Sequence, residues 1–366
     1  MPTATLPSLD WELISSMGIS AAKTKRDALA LTSGFMEANN KYHGASGMKW
    51  GAENLPTWQV GINFYNETGI TEFPTGYEGF DPSEAWPERS AFFQPKVSGL
   101  LMKMGVTELY TLGQSNEAVA AATQARMVSC MGYLHRQFAK QAVAGGGVGF
   151  TNWGTLNGID YTGANGGVFE SSAVGSQSNT IGGLSKSTYS FAIGWQNVVV
   201  DLNNAFGTNS WRLNQARRLA DKHKADGSKR CWIFSTAGAT NLDRAYNTQV
   251  MYVNGNTEGI SRIVPKWGGY DVYMEPQMPV STATGGSATN TTPLTGILLD
   301  NADIYMAFLK KVNVQGMSAP DGYFGVGEWK QINGQSLVWG CPIMVAGNLI
   351  VTDMGSSAAV LKGESY

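Results

Sequence analysis

Imidazole is the side chain most often used as a general base or metal ligand, so the histidines are the first candidates for catalytic or metal-binding residues. The chain of 366 residues has three, His43, His135 and His223. His135 and His223 fall in helical stretches, and neither has another His or Cys three or four residues further on. Zinc needs several such ligands at fixed spacings, and a nucleophilic serine needs a base beside it. The sequence therefore argues against both sites and indicates structural or solvated histidines.

Carboxylates offer two further candidate sites. Asp300 and Asp303 are close in sequence, but the donor spacing and closing Glu of a calcium loop are absent. Asp81, Glu84 and Glu88 are near enough to pair for acid–base catalysis, although nothing around them indicates a pocket that would separate their pKa values. We expect solvated carboxylates, no cofactor and no metal.

The glycine run from Gly145 to Gly149 has the composition of a phosphate-binding loop without its context. Phosphates are held where such a loop follows a strand and opens a helix, because the free N–H groups of the helix start bind the anion. This run instead follows a helical stretch. We interpret it as a helix terminator.

Composition indicates a surface that protein partners cover. Hydrophobic residues make up 43% of the chain and charged residues 15%, with 11 Trp, 14 Tyr and 14 Phe. Aromatic residues concentrate in interfaces. The net charge is −2, and no long Lys/Arg run is present. Because tight nucleic-acid binding rests on neutralised phosphates, we expect any nucleic acid nearby to be enclosed rather than gripped.

Cysteine usage and hydropathy indicate the cellular environment of the protein. Cys130, Cys231 and Cys341 are widely separated and odd in number, which indicates buried thiols in a reducing environment. Residues 1–18 lack the basic and apolar regions of a signal peptide. The most apolar late stretch, 341–351, is shorter than the roughly 20 residues that span a bilayer. We expect a soluble protein without a membrane partner.

Residues 84–112 are the first element that would position an interface. Pro87 and Pro95 precede a strand-like run from Val97 to Met104. Since Pro removes a backbone donor, this pattern predicts a projecting hairpin. Its apolar side chains would form a patch that a monomer rarely exposes, so we expect a neighbouring subunit to cover it. The predicted inter-subunit contacts are Trp86, Phe92, Phe93, Lys96, Leu100 and Lys103.

A long helix is predicted over residues 116–143. Ser115 is a suitable N-cap, and Arg136 and Lys140 near the end complement the helix dipole. Its length would be about 42 Å at 1.5 Å per residue. At 100° per residue, one side of this helix is largely apolar. It consists of Val119, Thr123, Met127, Cys130, Met131, Leu134 and Phe138.

The rest of the chain divides into three regions that differ in their hydrophobic and turn patterns. Residues 1 to about 80 have weak periodicity and predict an arm lying on other elements. Residues 185–260 alternate helix, strand and helix, as in a compact α/β module, with a buried strand at Cys231–Ser235. Residues 295–366 read as short strands, and Asn333-Gly334 is a strong hairpin signal.

This layout resembles the major capsid protein of tailed bacteriophages, whose fold is shared with encapsulins and the herpesvirus capsid floor. The resemblance covers roughly residues 55–366 and is one of layout and local texture. The segments that carry it are Phe92-Phe93-Gln94-Pro95, Val97-Ser98-Gly99-Leu100, Val106-Thr107-Glu108-Leu109, the helix from Asn116, Thr180 to Tyr189, and Tyr270-Asp271-Val272-Tyr273-Met274 with Met278-Pro279.

The resemblance implies an α+β fold and a division of the chain. It implies an N-terminal arm at 1–83, an extended loop at 84–112, a peripheral domain at 113–184 with the spine helix 116–143, an α/β axial domain at 185–300, and a return to the peripheral domain at 301–366. It carries over no catalytic residue, so we expect no enzyme.

It further implies a major capsid protein that assembles into pentamers and hexamers, forming an icosahedral head shell around double-stranded DNA. The partners implied are other copies of the chain, a separate scaffolding protein, a portal and a decoration protein, with packaged DNA held without sequence-specific binding. The location implied is the virion, with assembly in the host cytoplasm.

Two alternatives stay open from the sequence. A Trp-rich glycan-binding protein of a virion or cell surface would use the aromatic residues to line a sugar cleft. An enzyme of another type would need a pocket with shifted titratable groups, which the sequence does not display.

Overall fold

The computed structural model describes twenty-one stretches of the chain, and the structural statements below concern them alone. They are residues 33–43, 58–63, 88–93, 96–111, 116–144, 159–160, 169–170, 173–178, 180–189, 195–202, 211–221, 229–246, 251–257, 260–276, 278, 294–308, 317–318, 324–327, 329–332, 338–355 and 358–362.

Helices and strands both contribute to the fold. The helices are α1 (Gly34–His43), α2 (Val106–Thr111), α3 (Asn116–Ala144), α4 (Trp211–Asp221) and α5 (Thr236–Tyr246). The strands are β1 (Trp58–Asn63), β2 (Glu88–Phe93), β3 (Lys96–Gly105), β4 (Ile159–Asp160), β5 (Phe169–Glu170), β6 (Thr180–Ile181), β7 (Leu184–Ser185), β8 (Val198–Asp201), β9 (Arg230–Phe234), β10 (Met251–Thr257), β11 (Ile260–Trp267), β12 (Tyr270–Met274), β13 (Leu294–Asp300), β14 (Ile304–Phe308), β15 (Met317–Ser318), β16 (Phe324–Gly327), β17 (Lys330–Gln331), β18 (Val338–Val351) and β19 (Ala358–Lys362). Among the helices described, none has the length and apolar character needed to cross a membrane.

The predicted long helix is confirmed as α3, which runs one residue further than expected. The apolar side identified from the spacing is buried at Val119, Thr123, Met127, Met131 and Leu134. Helical periodicity was a sufficient guide here because α3 has one face against the core and one face against solvent.

A seven-stranded mixed sheet forms one half of the structure, in the order β10–β11–β12–β9–β13–β19–β8. The pairs β12–β9 and β19–β8 are parallel, and the others are antiparallel. The central strand β9 confirms the buried strand predicted near Cys231, with all five residues buried. Four of the five, residues 231–234, form a continuous apolar run, which is expected where both faces of a sheet are covered.

The last strand described, β19, belongs to the seven-stranded sheet, although residues 301–366 are expected from the sequence to return to the peripheral domain. β19 lies between β13 and β8 in the seven-stranded sheet, and not beside β14. Ala359, Val360 and Leu361 are completely buried there. Because successive strand residues point to opposite faces, a run buried on both sides fits a sheet whose two faces are both covered.

A second sheet is built around the fourteen-residue strand β18. It pairs antiparallel with β14, β16, β17 and β3, and β15 extends it beyond β16. α3 packs against this sheet, and its buried side chains share one hydrophobic core with Met102, Cys341 and Ile343. The same core continues to α1 and to one face of β9 and β13.

The predicted hairpin within 84–112 is wrong in its pairing. β2 pairs with β1, whereas all ten residues of β3 pair with β18. A ladder of that length satisfies more backbone groups than the six-residue β2 would offer. The antiparallel ribbon is therefore β1–β2, and the chain between its strands is residues 64–87.

α1 lies within the N-terminal arm expected at 1–83, and its apolar side chains belong to the core. Phe35 and Ala38 are completely buried, and Met36 is nearly so. α1 lies among β9, β12, β14 and α3, so it joins the two sheets. The weak periodicity of the sequence hid this position, because a helix surrounded by protein need not have a solvated face.

Candidate functional site

The β1–β2 ribbon has two chemically different faces. Val60, Ala91 and Phe93 are buried in the core, while Gln59 and Phe92, which are register partners, are exposed. Phe92 has 52% of its surface accessible, and Gln59 donates a hydrogen bond from Nε2 to Ser90 Oγ at 2.8 Å. The ribbon thus presents one large aromatic ring to solvent.

A glycine turn anchors this ribbon. The N–H of Phe92 donates to the carbonyl of Gly182 at 2.9 Å. Gly182 has φ +56°, and a Cβ added there would lie 2.7 Å from Ala91 Cβ. Only glycine therefore allows the β6–β7 turn both to adopt this conformation and to approach β2 so closely.

A buried lysine supports the same turn from behind. Lys186, which directly follows β7, is completely buried, and its Nζ donates to Asn197 Oδ1 at 2.8 Å and to Gln177 Oε1 at 3.3 Å. Gln177 also donates to the carbonyl of Asn197 at 2.7 Å. Charged groups are buried only where hydrogen bonds compensate for lost solvation, so this network makes the turn rigid.

The six predicted contact residues separate into different environments. Phe92 and Lys103 are exposed, as an interface contact would be before assembly. Phe93 is only 2% exposed and belongs to the core, so its predicted exposure is wrong. Adjacent residues on a strand point to opposite faces, so Phe93 is buried when Phe92 is exposed on a ribbon that packs one face against the core. Leu100 is partly buried and packs against the same core.

Trp86 lies outside the described residues. Lys96 is the first residue of β3 and pairs with Gly347, although its side chain is outside the description. The structure therefore brings Leu100 and Lys103 onto one strand of the β18 sheet and Phe92 onto a different ribbon.

Leu101 is an exposed apolar residue that the sequence reasoning missed. It has 45% of its surface accessible and lies opposite Pro342 of β18. Met102 and Met104 alternate with it and are buried. The alternation along β3 carries the signal, since residues 101 and 103 must share one face when 102 and 104 share the other.

The junction of α1 with the seven-stranded sheet is held by buried polar groups. Ser33 caps α1 by accepting the N–H of Met36 at 3.2 Å, and its hydroxyl donates to Glu275. The Glu275 carboxylate also accepts the N–H of Phe35 at 3.1 Å. A carboxylate at this end of a helix satisfies free N–H groups and complements the dipole.

The other end of α1 contacts the same sheet through Asp271. This carboxylate is 4% exposed, pairs with Lys41, and accepts hydrogen bonds from the hydroxyls of Tyr42 at 3.3 Å and Tyr273 at 3.4 Å. Burial raises the pKa of both phenols, with Cys231 and Asp271 adding to the rise. Both hydroxyls therefore keep their protons and remain donors.

A buried arginine of β9 contacts acidic groups of α4 and β13. Arg230 is paired with Asp221 at the end of α4, and its Nε lies 3.8 Å from Asp300 Oδ2. Its Nη2 donates to the carbonyl of Ala220 at 3.3 Å. These groups tie α4 to β9 and β13. Within the residues that the structure describes, no group of three His, Cys, Asp or Glu side chains is placed to hold a metal ion.

Comparison with solved structures shows which proteins share this fold. No protein-family profile and no curated protein matches the sequence. Among solved structures, a chain of the Cyanophage A-1(L) capsid asymmetric unit is 13% identical and superposes with a TM-score of 0.64, covering 92% of this chain and 94% of that one. A chain of Mycobacterium phage Ogopogo is 10% identical with a TM-score of 0.49, covering 86% of this chain and 89% of that one.

The encapsulin of Synechococcus elongatus, solved as the holo-SrpI complex, is 11% identical with a TM-score of 0.49, over 87% of this chain and 85% of that one. The cyanophage superposition covers 92% of this chain, so it concerns the architecture as a whole and not a shared motif. The chain has the α+β fold of phage major capsid proteins.

Proposed function

We propose that this chain is a major capsid protein, which assembles with copies of itself into pentamers and hexamers and closes into an icosahedral head shell around double-stranded DNA. The observation that carries the proposal is the superposition with the cyanophage capsid chain over 92% of this chain and 94% of that one.

The exposed β1–β2 ribbon supports the same proposal. Phe92 stands on the exposed face of a ribbon whose other face is buried. A ring covered by a neighbour would gain about 25 cal/mol for each Å² of apolar surface removed from water. Closed symmetry repeats one such contact many times, so modest interfaces suffice for a stable shell.

We assign the parts as follows. The β18 sheet with α3 is the peripheral domain, the seven-stranded sheet with α4 and α5 is the axial domain, and the ribbon with residues 64–87 is the extended loop. Phe92, Lys103, Trp86 and Lys96 are inter-subunit contacts in this proposal, and Phe93 and Leu100 stabilise the subunit itself. A scaffolding protein, a portal and a decoration protein are proposed partners, the virion is the proposed location, and DNA is enclosed without sequence-specific contacts.

Sedimentation velocity and negative-stain imaging of the purified chain test this function. We expect rings of five or six subunits, or closed particles, whose fraction rises with protein concentration. A single 39.2 kDa species at every concentration would overturn the proposal. Retention on a glycan array by such a monomer would instead support a glycan-binding protein.

A further inference from the structure

Positive charge is concentrated in one short part of the chain. Residues 211–230 contain seven of the 26 Lys and Arg residues and two of the 28 Asp and Glu residues. This stretch therefore has a net charge of +5, which leaves −7 for the rest of a chain whose total is −2. Because like charges repel, a polyanion is attracted to the subunit at this stretch and is repelled by the net charge of the remainder.

The described part of this stretch consists of α4 and the start of β9, and α4 packs one side against the seven-stranded sheet. The buried side of the helix consists of Leu213, Ala216 and Ala220. At 100° per residue, Arg218 lies opposite that side and is exposed, whereas Arg212 and Arg217 lie on the two flanks. The three arginines therefore extend across the whole outer width of the helix.

Each flanking arginine is held by a backbone carbonyl of a neighbouring element. Arg217 donates from Nη1 to the carbonyl of Gly268, in the turn between β11 and β12, at 3.3 Å. Arg212 donates to the carbonyl of Asp201 on β8, and its guanidinium carbon lies 5.2 Å from the centre of the Trp211 ring. Because Arg212 adjoins an acidic residue, part of its charge is offset locally, and Arg217 and Arg218 are the stronger attractors of an anion.

The end of α4 adds a third cation to this pair. Asp221, the last residue of the helix, pairs with buried Arg230, so Lys229 at the start of β9 is brought beside the end of α4. Lys229 is partly exposed. Within the stretches that the structure describes, no carboxylate pairs with Arg217, Arg218 or Lys229. We name these three residues the α4 basic surface.

Double-stranded DNA fits this surface better than an acidic protein does. A duplex has about one negative charge for each 1.7 Å of its axis, so its phosphates face the three cations in any rotational setting and need no matching groove. An acidic protein would need carboxylates at fixed spacings and an apolar side chain to cover Leu219, which is 36% exposed on the same helix.

We propose that the α4 basic surface binds the phosphate backbone of the enclosed double-stranded DNA, so that this side of α4 faces the interior of the shell. The inference rests on the proposed function and adds to it the surface that meets the DNA. Phosphate contacts carry no sequence information, and each one releases counterions. With three contacts, the dissociation constant should rise about 40-fold between 50 and 200 mM salt. Weak contacts of this kind allow DNA to slide along the surface.

Binding of a labelled DNA duplex of about 20 base pairs by the purified chain, measured by fluorescence anisotropy below the concentration at which particles form, tests this surface. The surface variant is Arg218→Gln/Lys229→Gln, which removes two of the three cations. Arg136→Gln/Lys103→Gln is the matched control, because it removes one exposed Arg from α3 and one exposed Lys from β3. Circular dichroism confirms that each variant is folded.

We expect wild type and the control to lose affinity about 40-fold between 50 and 200 mM NaCl. The surface variant should bind at least tenfold more weakly at the lower salt concentration and should lose only about 3- to 4-fold over the same range, because one contact remains. Equal affinity and equal salt dependence of the surface variant and the control would overturn the inference. Binding of a poly-glutamate peptide but not of the duplex would assign the surface to an acidic protein and would also overturn it.

Closed particles test the inward orientation. Because the surface faces the interior, preformed wild-type particles should bind at least tenfold less added duplex per subunit than free subunits do. Equal binding would place the surface outside and overturn the inference. Failure of wild type to form particles at any concentration would refute the proposed function, whereas particle formation together with equal DNA binding by the surface variant and the control would refute this inference alone.

Discussion

Asn39 of α1 binds the backbone of Met306 of β14 in both directions. Its Oδ1 accepts the N–H of Met306 at 2.9 Å, and its Nδ2 donates to the carbonyl of Met306 at 3.4 Å. β14 is the edge strand of the β18 sheet, so one amide side chain takes the place of a neighbouring strand at this residue. Asn39 is 2% exposed, and the contact attaches α1 to one sheet while Glu275 attaches its start to the other.

Asn39→Ala should destabilise the unassembled subunit by about 2–3 kcal/mol, because it leaves a buried N–H and a buried C=O without a partner. Asn214→Ala is the matched control, since Asn214 is exposed on α4 and its loss should change stability by less than about 0.5 kcal/mol. Urea unfolding followed by far-UV circular dichroism measures both. Equal effects of the two changes would contradict a joining role for Asn39.

Phe92 and Phe93 should differ sharply when each is changed to Ala. Phe93 is buried beside Ala91 and Val60, so its truncation should cost about 3–4 kcal/mol. Phe92→Ala should leave the free energy of unfolding within about 0.5 kcal/mol of wild type and reduce the yield of particles at least tenfold. Urea unfolding and sedimentation velocity separate these effects. Normal assembly of Phe92→Ala would remove Phe92 from the interface.

Gly182 and Gly183 provide a test of how the ribbon is anchored. Both have positive φ, at +56° and +84°, so Ala at either position meets backbone strain of about 1–2 kcal/mol. Only Gly182 lies against β2, where a new Cβ would be 2.7 Å from Ala91 Cβ, whereas nothing lies within 4 Å of one at Gly183. Gly182→Ala should therefore cost about 1–3 kcal/mol more than Gly183→Ala in thermal or urea unfolding.

The raised pKa of the Cys341 thiol predicts that the folded subunit loses stability at alkaline pH. Burial, followed by the nearby Cys130, raises the pKa of this thiol from 9.0 to about 12. The folded state therefore keeps a proton that the unfolded chain releases, so the stabilising effect is complete below pH 9 and is lost as the pH rises towards 12. For one such thiol the loss between pH 9 and 10.5 is roughly 2 kcal/mol.

Cys341→Ser isolates this effect, because a hydroxyl does not titrate in that range and can still donate to the Gly327 carbonyl, which Cys341 Sγ approaches at 3.0 Å. The variant should be less stable at pH 8 but should lose less stability than wild type on going to pH 10.5. Cys231, Tyr42 and Tyr273, whose pKa values burial also raises, are present in both proteins and cancel in the comparison. Parallel pH profiles in urea unfolding would contradict the assignment.

Periodic elements were predictable from the sequence. α3 was found within one residue of its end because its apolar side repeats at helical spacing, and β9 because five successive residues are buried on both faces of a covered sheet. The loop-sheet-helix layout was sufficient to indicate the capsid fold, since layout depends on element order more than on exact pairing.

Strand partners were not predictable. β3 pairs with β18 more than 230 residues later, and no local property of Lys96–Gly105 encodes that choice. The same limitation led to the wrong exposure for Phe93, because the phase of alternation in β2 depends on which face β1 and the Gly182 turn cover. α1 was missed as core because some of its buried residues are polar: Asn39, for example, is buried through its hydrogen bonds to the backbone of Met306.

A cryo-electron microscopy map of particles formed by the purified chain tests the central claim most directly. The account predicts rings of five and six copies in which apolar atoms of a neighbouring copy lie within about 4.5 Å of the Phe92 ring. A closed shell in which Phe92 still faces solvent, with the β1–β2 ribbon contacting its own subunit alone, would contradict it.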